Sequence, residues 1–184
     1  MFRESFLTLA IMLSLTASTA EAKDVSKNVF YIVQGKTAVE VYDYIKAKSP
    51  RAAGNATFAF TMIATKTDKR EKQSDAACRY TTFKTSAIFN FVLPRHAYPS
   101  QLKAKTQAKW QAFDGYLKNH EQGHRDIWQA CFAEYDKAAR ALNAANCKAL
   151  DKLREKAFTA IKRGCIKQDE AYDVVFRQEV LRHP

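Results

Sequence analysis

The chain has 184 residues and a formal net charge of +11, with 27% of its residues charged and 47% hydrophobic. Nothing beyond the N-terminal region approaches the run of about 18 apolar residues that a membrane-spanning helix needs, so we expect no such helix in the mature chain and predict a soluble protein. The lysines and arginines are scattered and form no compact block with interleaved aromatic residues, so we expect no nucleic-acid binding. Attraction to an anionic cell envelope, or simple solubility, accounts better for the charge.

Residues 1–22 have the features of a secretory signal peptide. Arg3 gives a positive start, residues 6–15 form a short apolar run, and Ala20-Glu21-Ala22 is a small-x-small cleavage site. We therefore predict an exported protein, periplasmic or secreted, whose mature chain begins at Lys23; cleavage after Ala20 is the alternative. Residues 23–184 are long enough to bury a core, and a single domain is predicted.

The mature chain contains four cysteines, Cys78, Cys131, Cys147 and Cys165. An even number in an exported chain favours two disulfides, for which three pairings exist, over free buried thiols. Cys147 and Cys165 flank a predicted helix whose ends lie about 27 Å apart, whereas bridged Cα atoms lie within about 7 Å of each other. That pairing is excluded. Of the two that remain, we favour Cys78–Cys147 with Cys131–Cys165.

The first half of the mature chain alternates between β-forming segments and one helix. Residues 29–33 are a short strand, and Thr37 with Glu40 forms a capping box that opens a helix through residue 48. A turn at Gly54-Asn55 leads to an alternating strand over residues 58–64, and residues 67–75 form a charged loop or hairpin. A long alternating strand begins at Cys78 and ends at Pro94. We expect the last two strands to pair antiparallel, with one face in the core.

From about residue 100 the hydrophobic period becomes helical. One long helix is predicted through residue 142, followed by a turn at residues 143–146. A second helix covers residues 148–162, Gly164 interrupts it, and a third covers residues 168–181. The predicted fold is therefore α+β: a small antiparallel sheet from the N-terminal half packs on a C-terminal helical hairpin, as in zincin-like proteins.

The long helix carries the motif His-Glu-x-x-His at His120, Glu121 and His124. One helical turn separates the two imidazoles, so they project from the same face and are able to hold one Zn²⁺. Glu121 is then placed to take a proton from a water molecule that the zinc activates. A chance pair of histidines on a surface helix, or a pair that caps the core, is the alternative interpretation.

A zinc site of this kind needs a third protein ligand. A histidine six residues after His124 is one solution, but Ala130 occupies that position. If the chain reverses near residue 145, residues 170 and 171 lie opposite His120. This places Glu170, Tyr172 and Asp173 near the motif, with Asp173 or Glu170 as a metal ligand and Tyr172 as a hydrogen-bond donor to a developing oxyanion. Lesser ligand candidates are His96 and His183.

The order of these features resembles a known bacterial family. The shared order is a signal peptide, strands, a strand that begins with a cysteine and ends in Leu93-Pro94, then Trp110, Phe113, Leu117 and the motif His-Glu-Gln-Gly-His. In this order the sequence resembles the family of predicted secreted zinc-dependent proteases, also called domain of unknown function 922. The resemblance covers roughly the whole mature chain. The two recurrent cysteines of the family match Cys78 and Cys147, in agreement with the pairing favoured above.

The resemblance is incomplete near the C-terminus. The Tyr-Asp of the family matches Tyr172-Asp173, but Phe176 and Gln178-Glu179 stand where the family has Thr and His-Gly. If that histidine of the family is a metal ligand, Asp173 or His183 must complete the site here. The departure also raises the prospect of a weakened or inactive enzyme.

Two functional hypotheses follow. The first is an exported zinc metalloendopeptidase that acts on a peptide or protein substrate, with zinc as cofactor, Glu121 as general base and Tyr172 as oxyanion donor. The second is a non-catalytic exported domain that binds metal structurally, or has a degenerate site, and contacts envelope partners.

Overall fold

The computed structural model describes residues 24–50 and 58–182, except for the side chains of residues 177–182. Its elements in chain order are β1 (Val25–Val33), α1 (Ala38–Lys48), β2 (Phe60–Gln73), β3 (Cys78–His96), a short 3-10 helix (Pro99–Gln101), α2 (Ala104–Ala141), β4 (Asn143–Ala144) and α3 (Cys147–Arg182). The predicted signal peptide, the turn at Gly54-Asn55 and His183 lie outside the described residues.

The protein has an α+β fold, but its sheet is mixed. β3 is the central strand, with β2 antiparallel on one side and β1 parallel on the other. The predicted antiparallel pair is confirmed, whereas the prediction of an entirely antiparallel sheet is wrong. The segment through α1 reverses the chain between β1 and β2, and the β2–β3 hairpin reverses it again, so β1 and β3 point the same way.

The β2–β3 hairpin is longer than the hydrophobic pattern indicates. The charged segment predicted as a loop or hairpin is a hairpin, in which pairing continues to Gln73 and Cys78 despite a register shift between Arg70 and Glu71. β3 also continues through Pro94 to His96, where it still pairs with β1. Backbone pairing with the central strand therefore overrides the charged composition of β2.

The core lies between β3 and α2. Alternate residues of β3 (Ala87, Phe89, Phe91 and Leu93) point towards the helices and pack with Leu117 and Phe132 of α2. This is the face that the alternating pattern predicts as buried. Because α2 lies across this face, its motif-bearing turns are held next to the sheet.

α2 and α3 form an antiparallel hairpin. Tyr135 of α2 contacts Phe158 of α3 near the turn, and His120 contacts Asp173 far from it. The predicted interruption at Gly164 is wrong, because α3 is one continuous helix. Gly164 is exposed, and a Cβ atom there would meet nothing within 4 Å. A glycine inside a helix costs about 1 kcal/mol of helix stability relative to alanine, which is small beside the packing of the neighbouring turns. Within the described residues, no helix combines the length and apolar character that crossing a membrane requires.

Both favoured disulfides are present. Cys78–Cys147 joins the start of β3 to the start of α3, and Cys131–Cys165 joins α2 to α3, with Cα–Cα distances of 5.1 and 6.1 Å. A disulfide stabilises a fold by about 2–4 kcal/mol, mainly by restricting the unfolded chain. The pair is compatible with a protein that folds in an oxidising compartment.

Candidate metal centre

His120 and His124 project from one face of α2 towards each other. Their Nε2 atoms are 3.0 Å apart and their ring planes are nearly perpendicular. Both residues are buried, with exposed fractions of 7% and 9%. The i, i+4 spacing on a helix accounts for this arrangement, and the packing of α3 against α2 covers it.

Asp173 completes a triangle with the two histidines. Its Oδ1 atom lies 3.1 Å from Nε2 of His120 and 3.1 Å from Nε2 of His124. Asp173 comes from α3, 53 residues beyond His120, and the antiparallel hairpin brings it there. Its side chain is 46% exposed, so the triangle opens to solvent on the Asp173 side.

The donor atoms and spacing of the triangle would suit a divalent metal ion such as zinc. Its three atoms are two imidazole nitrogens and one carboxylate oxygen, a donor set that zinc commonly takes. Tetrahedral ligands 2.0–2.1 Å from a zinc ion lie about 3.3 Å from one another. The observed separations of 3.0–3.1 Å need only a slight expansion to match that value.

The contacts of His124 within the triangle and with Asp169 also suit the protonated form of this histidine. Burial lowers the pKa of His124, but hydrogen bonds to Asp169 and Asp173 and the charges of both carboxylates outweigh it and raise the pKa to about 10. Hydrogen bonds from His120 and His124 hold the pKa of Asp173 well below its usual range. An imidazolium at His124 therefore stabilises the metal-free centre, and a divalent ion must displace its proton.

Asp169 forms a hydrogen bond with Nδ1 of His124, the ring nitrogen that is not part of the triangle. Its Oδ1 atom accepts hydrogen bonds from Nδ1 of His124 at 2.7 Å and from Nε1 of Trp128 at 3.1 Å. With its proton on Nδ1, His124 presents the Nε2 lone pair to an ion. By contrast, Nδ1 of His120 is buried and has no hydrogen-bond partner among the described residues.

Glu121 lies on the sheet side of α2. Its exposed fraction is 1%, and its Oε2 atom accepts a hydrogen bond of 2.6 Å from the hydroxyl of Thr61 on β2. Burial raises the pKa of Glu121, while the Thr61 hydrogen bond and the charges of His120 and His124 act in the opposite direction. The carboxyl group therefore keeps its proton to a higher pH than an ordinary glutamate does, as suits a general base or acid.

Tyr172 packs directly on the motif. A Cβ atom at Gly123 would lie 2.2 Å from the Tyr172 hydroxyl oxygen and 2.4 Å from the ring carbon that bears it. The Tyr172 ring also stacks on His120, with centroids 4.8 Å apart, and Phe176 stacks on the same imidazole at 3.6 Å. Only a glycine in the motif allows the tyrosine this close an approach.

We expect Gly123→Ala to destabilise the protein, because the rigid Tyr172 ring must move to admit the methyl group. Overpacking of this kind costs about 1–3 kcal/mol, against a gain in helix propensity of up to about 1 kcal/mol. Gly115→Ala in the same helix is the matched control, since a Cβ atom there meets nothing within 4 Å. Denaturant unfolding should show a loss for Gly123→Ala and no loss for Gly115→Ala. Equal effects would contradict the close packing of Tyr172.

The other ligand candidates lie away from the triangle or outside the described residues. His96 forms hydrogen bonds with the backbone of Gly35 and Tyr98 and meets Trp110 edge to face, so these contacts give it a structural role. Glu170 is exposed and is not part of the His120, His124 and Asp173 group. Glu71 lies close to Cys78 and Cys147, but these cysteines form a disulfide and offer no thiolate.

Sequence reasoning missed three residues of the centre: Asp169, Thr61 and Gly123. Asp169 precedes Asp173 by one helical turn, so the same hairpin argument that found Asp173 could have found it. Thr61 belongs to another element altogether, and only the packing of α2 on the sheet brings it to Glu121.

A family model described as a bacterial protein of unknown function (DUF922) matches residues 28–179. The chain belongs to this family. The part matched to DUF922 includes all of the sheet except the first three residues of β1, α2, most of α3 and every residue of the centre. No curated protein and no solved structure gives a significant match. The description of DUF922 states no activity, so function is argued from the centre itself.

Proposed function

We propose that this protein is an exported zinc-dependent metallopeptidase of zincin-like architecture. The observation that carries the proposal is the triangle of His120, His124 and Asp173, with sides of 3.0–3.1 Å. Glu121 follows His120 directly, the position that the general base has in the His-Glu-x-x-His motif of metalloproteases. The membership in DUF922 and the two disulfides are compatible with this role in an exported bacterial protein.

In this proposal His120, His124 and Asp173 hold the ion. A zinc ion bound there acts as a Lewis acid and makes a water molecule more acidic. Glu121 accepts a proton from the attacking water and later gives it to the leaving amine nitrogen. Thr61 fixes one carboxylate oxygen of Glu121, and the Tyr172 hydroxyl stabilises the negative charge that develops on the scissile carbonyl oxygen.

The burial of Glu121 favours a second candidate function. Its carboxylate is 1% exposed and already bonded to Thr61, so it serves equally well as a structural link between α2 and β2. In that case the protein is a non-catalytic exported domain that binds a metal ion for stability or uptake. Metal binding is common to both candidates, and hydrolysis separates them.

Metal analysis tests the shared part of the proposal. We expect the dialysed mature protein to retain one zinc ion per chain, and Asp173→Ala to lose most of it, because one of three ligands is gone. Glu170→Ala is the control, since it removes an exposed carboxylate from the same turn of α3. A wild-type protein that binds no zinc at stoichiometric level rules out both candidates and leaves a domain with a degenerate site.

We expect Asp169→Ala to weaken zinc binding by about 10–100-fold, the usual effect of losing a carboxylate behind a histidine ligand. Asp169→Asn should cost less, because its amide oxygen still accepts hydrogen bonds from His124 and Trp128. Titration against a chromophoric chelator measures both. An affinity equal to wild type in Asp169→Ala would show that this carboxylate does not position His124. Asp126→Ala, an exposed carboxylate on α2, controls for the loss of charge.

A further inference from the structure

Five basic residues that are not consecutive in the sequence form a row along the solvent-exposed side of α3. Its members are Lys148, Lys152, Lys156, Arg163 and Lys167, which we call the basic row. Their spacings of four, four, seven and four residues place all five side chains on one side of a helix. All five are exposed, and the row is about 28 Å long at 1.5 Å per residue.

The positive charge of this segment is concentrated and only partly compensated. Residues 147–167 contain seven basic and two acidic residues, a net charge of +5, whereas the whole chain carries +11. Both acidic residues, Asp151 and Glu155, form ion pairs with Arg154, which is not part of the row. No member of the basic row forms an ion pair with another described residue.

The surface of the row is concave in two adjacent places. Lys152, Lys156, Thr159 and Arg163 line one depression together with Glu155, and Lys162, Arg163 and Lys167 line the next together with Glu170. In each depression three cations outnumber a single carboxylate, so the net positive charge suits phosphate groups, which accept charge-assisted hydrogen bonds.

We propose that the basic row is a docking surface for an anionic phospholipid membrane. A long, open row of cations matches a surface of many phosphates better than a single small anion. The aliphatic side chains of Leu153 and Ile166 are exposed beside it and suit the boundary between headgroups and acyl chains. Phe158, the aromatic side chain on this part of α3, packs on Tyr135 and is 36% exposed, and a single partly covered ring is a poor platform for stacking successive nucleic-acid bases.

Docking through this side leaves the candidate metal centre clear of the membrane. Cys165 and Asp169 lie on the opposite side of α3, where they contact α2. The proposal therefore does not depend on zinc binding or on hydrolysis. Its test gives a result whether or not the centre proves active.

Vesicle co-sedimentation of the mature chain, begun at Lys23, tests the proposal. We expect binding to phosphatidylcholine vesicles that contain about a third phosphatidylglycerol, no binding to pure phosphatidylcholine, and loss of binding when salt is raised from about 0.05 to about 0.5 M. A lysine near an anionic membrane strengthens binding by about fivefold. Reversing three charges with Lys152→Glu, Lys156→Glu and Arg163→Glu should therefore weaken binding more than 100-fold.

The matched control reverses three exposed lysines at the start of α2, with Lys103→Glu, Lys105→Glu and Lys109→Glu. It changes the net charge by the same amount and should keep binding within a few-fold of wild type. Equal losses in both triple variants would mean that binding follows net charge alone, which overturns the proposal. So would equal binding to neutral vesicles, or tighter binding to a single-stranded oligonucleotide through the same three residues. If the reversed row fails to fold, Lys152→Gln, Lys156→Gln and Arg163→Gln must still lose binding.

Discussion

Zinc should bind this protein more tightly as the pH rises, by close to tenfold per pH unit between about pH 6.5 and 8.5. The pKa of His124 is raised to about 10 in the metal-free centre, so its ring is protonated throughout this range. Coordination through Nε2 requires the loss of that proton. Competition with a chelator of known affinity, corrected for the titration of the chelator, measures the slope.

The stability of the metal-free protein should change with pH in the opposite direction. The folded pKa of His124 lies above its ordinary value of 6.5, so its contribution is complete below pH 6.5 and is lost as the pH rises through 10. The pKa of Asp173 is lowered, so its contribution is present above its ordinary value of 3.8 and is lost as the pH falls. Melting temperatures of the metal-free protein should therefore fall above pH 6.5, and excess zinc should oppose that fall.

A zinc affinity that does not vary with pH would contradict the protonated state of His124.

Glu121→Gln should abolish hydrolysis of a generic unfolded protein, with a loss of about 10²–10⁴-fold or more, because an amide cannot accept a proton from water. Zinc binding should not change, since Glu121 lies outside the ligand triangle. The substituted side chain keeps a carbonyl oxygen for the Thr61 hydroxyl and no longer buries an ionisable group. The variant should therefore be at least as stable as the wild type. Labelled casein is a suitable substrate.

Glu134→Gln, at an exposed position of the same helix, is the control for that experiment. Equal activity in the wild type and Glu121→Gln would end the peptidase proposal and leave the metal-binding alternative. Loss of folding in Glu121→Gln would assign the carboxylate to the link with β2.

The proximity of His120, His124 and Asp173 was predictable because it depends on simple rules of helix geometry. The spacing of His120 and His124 is a property of any helix, and Asp173 follows from counting outward from a turn between two antiparallel helices. The count placed residues 170 and 171 opposite His120, whereas the contact is with Asp173. An uncertainty of two residues in the position of the turn is enough to cause this difference.

The sheet was less predictable because strand neighbours depend on long-range contacts. Nothing in the composition of residues 25–33 tells whether this strand lies parallel or antiparallel to β3, since both arrangements bury the same side chains. The charged residues of β2 oppose a strand prediction locally, and the long ladder with β3 outweighs them. The Thr61–Glu121 hydrogen bond spans 60 residues and depends on both results.

The Cys131–Cys165 disulfide has a consequence for the alignment of the two long helices. Asp169 and Asp173 follow Cys165 by one and two turns of α3, so the bridge determines which side of that helix meets His124. A slip of one residue along the hairpin would rotate both carboxylates by about 100° away from the histidines. Oxidation of this cysteine pair therefore fixes the register of α3 independently of any metal ion. In the reduced chain, no disulfide between α2 and α3 holds His120, His124 and Asp173 in alignment.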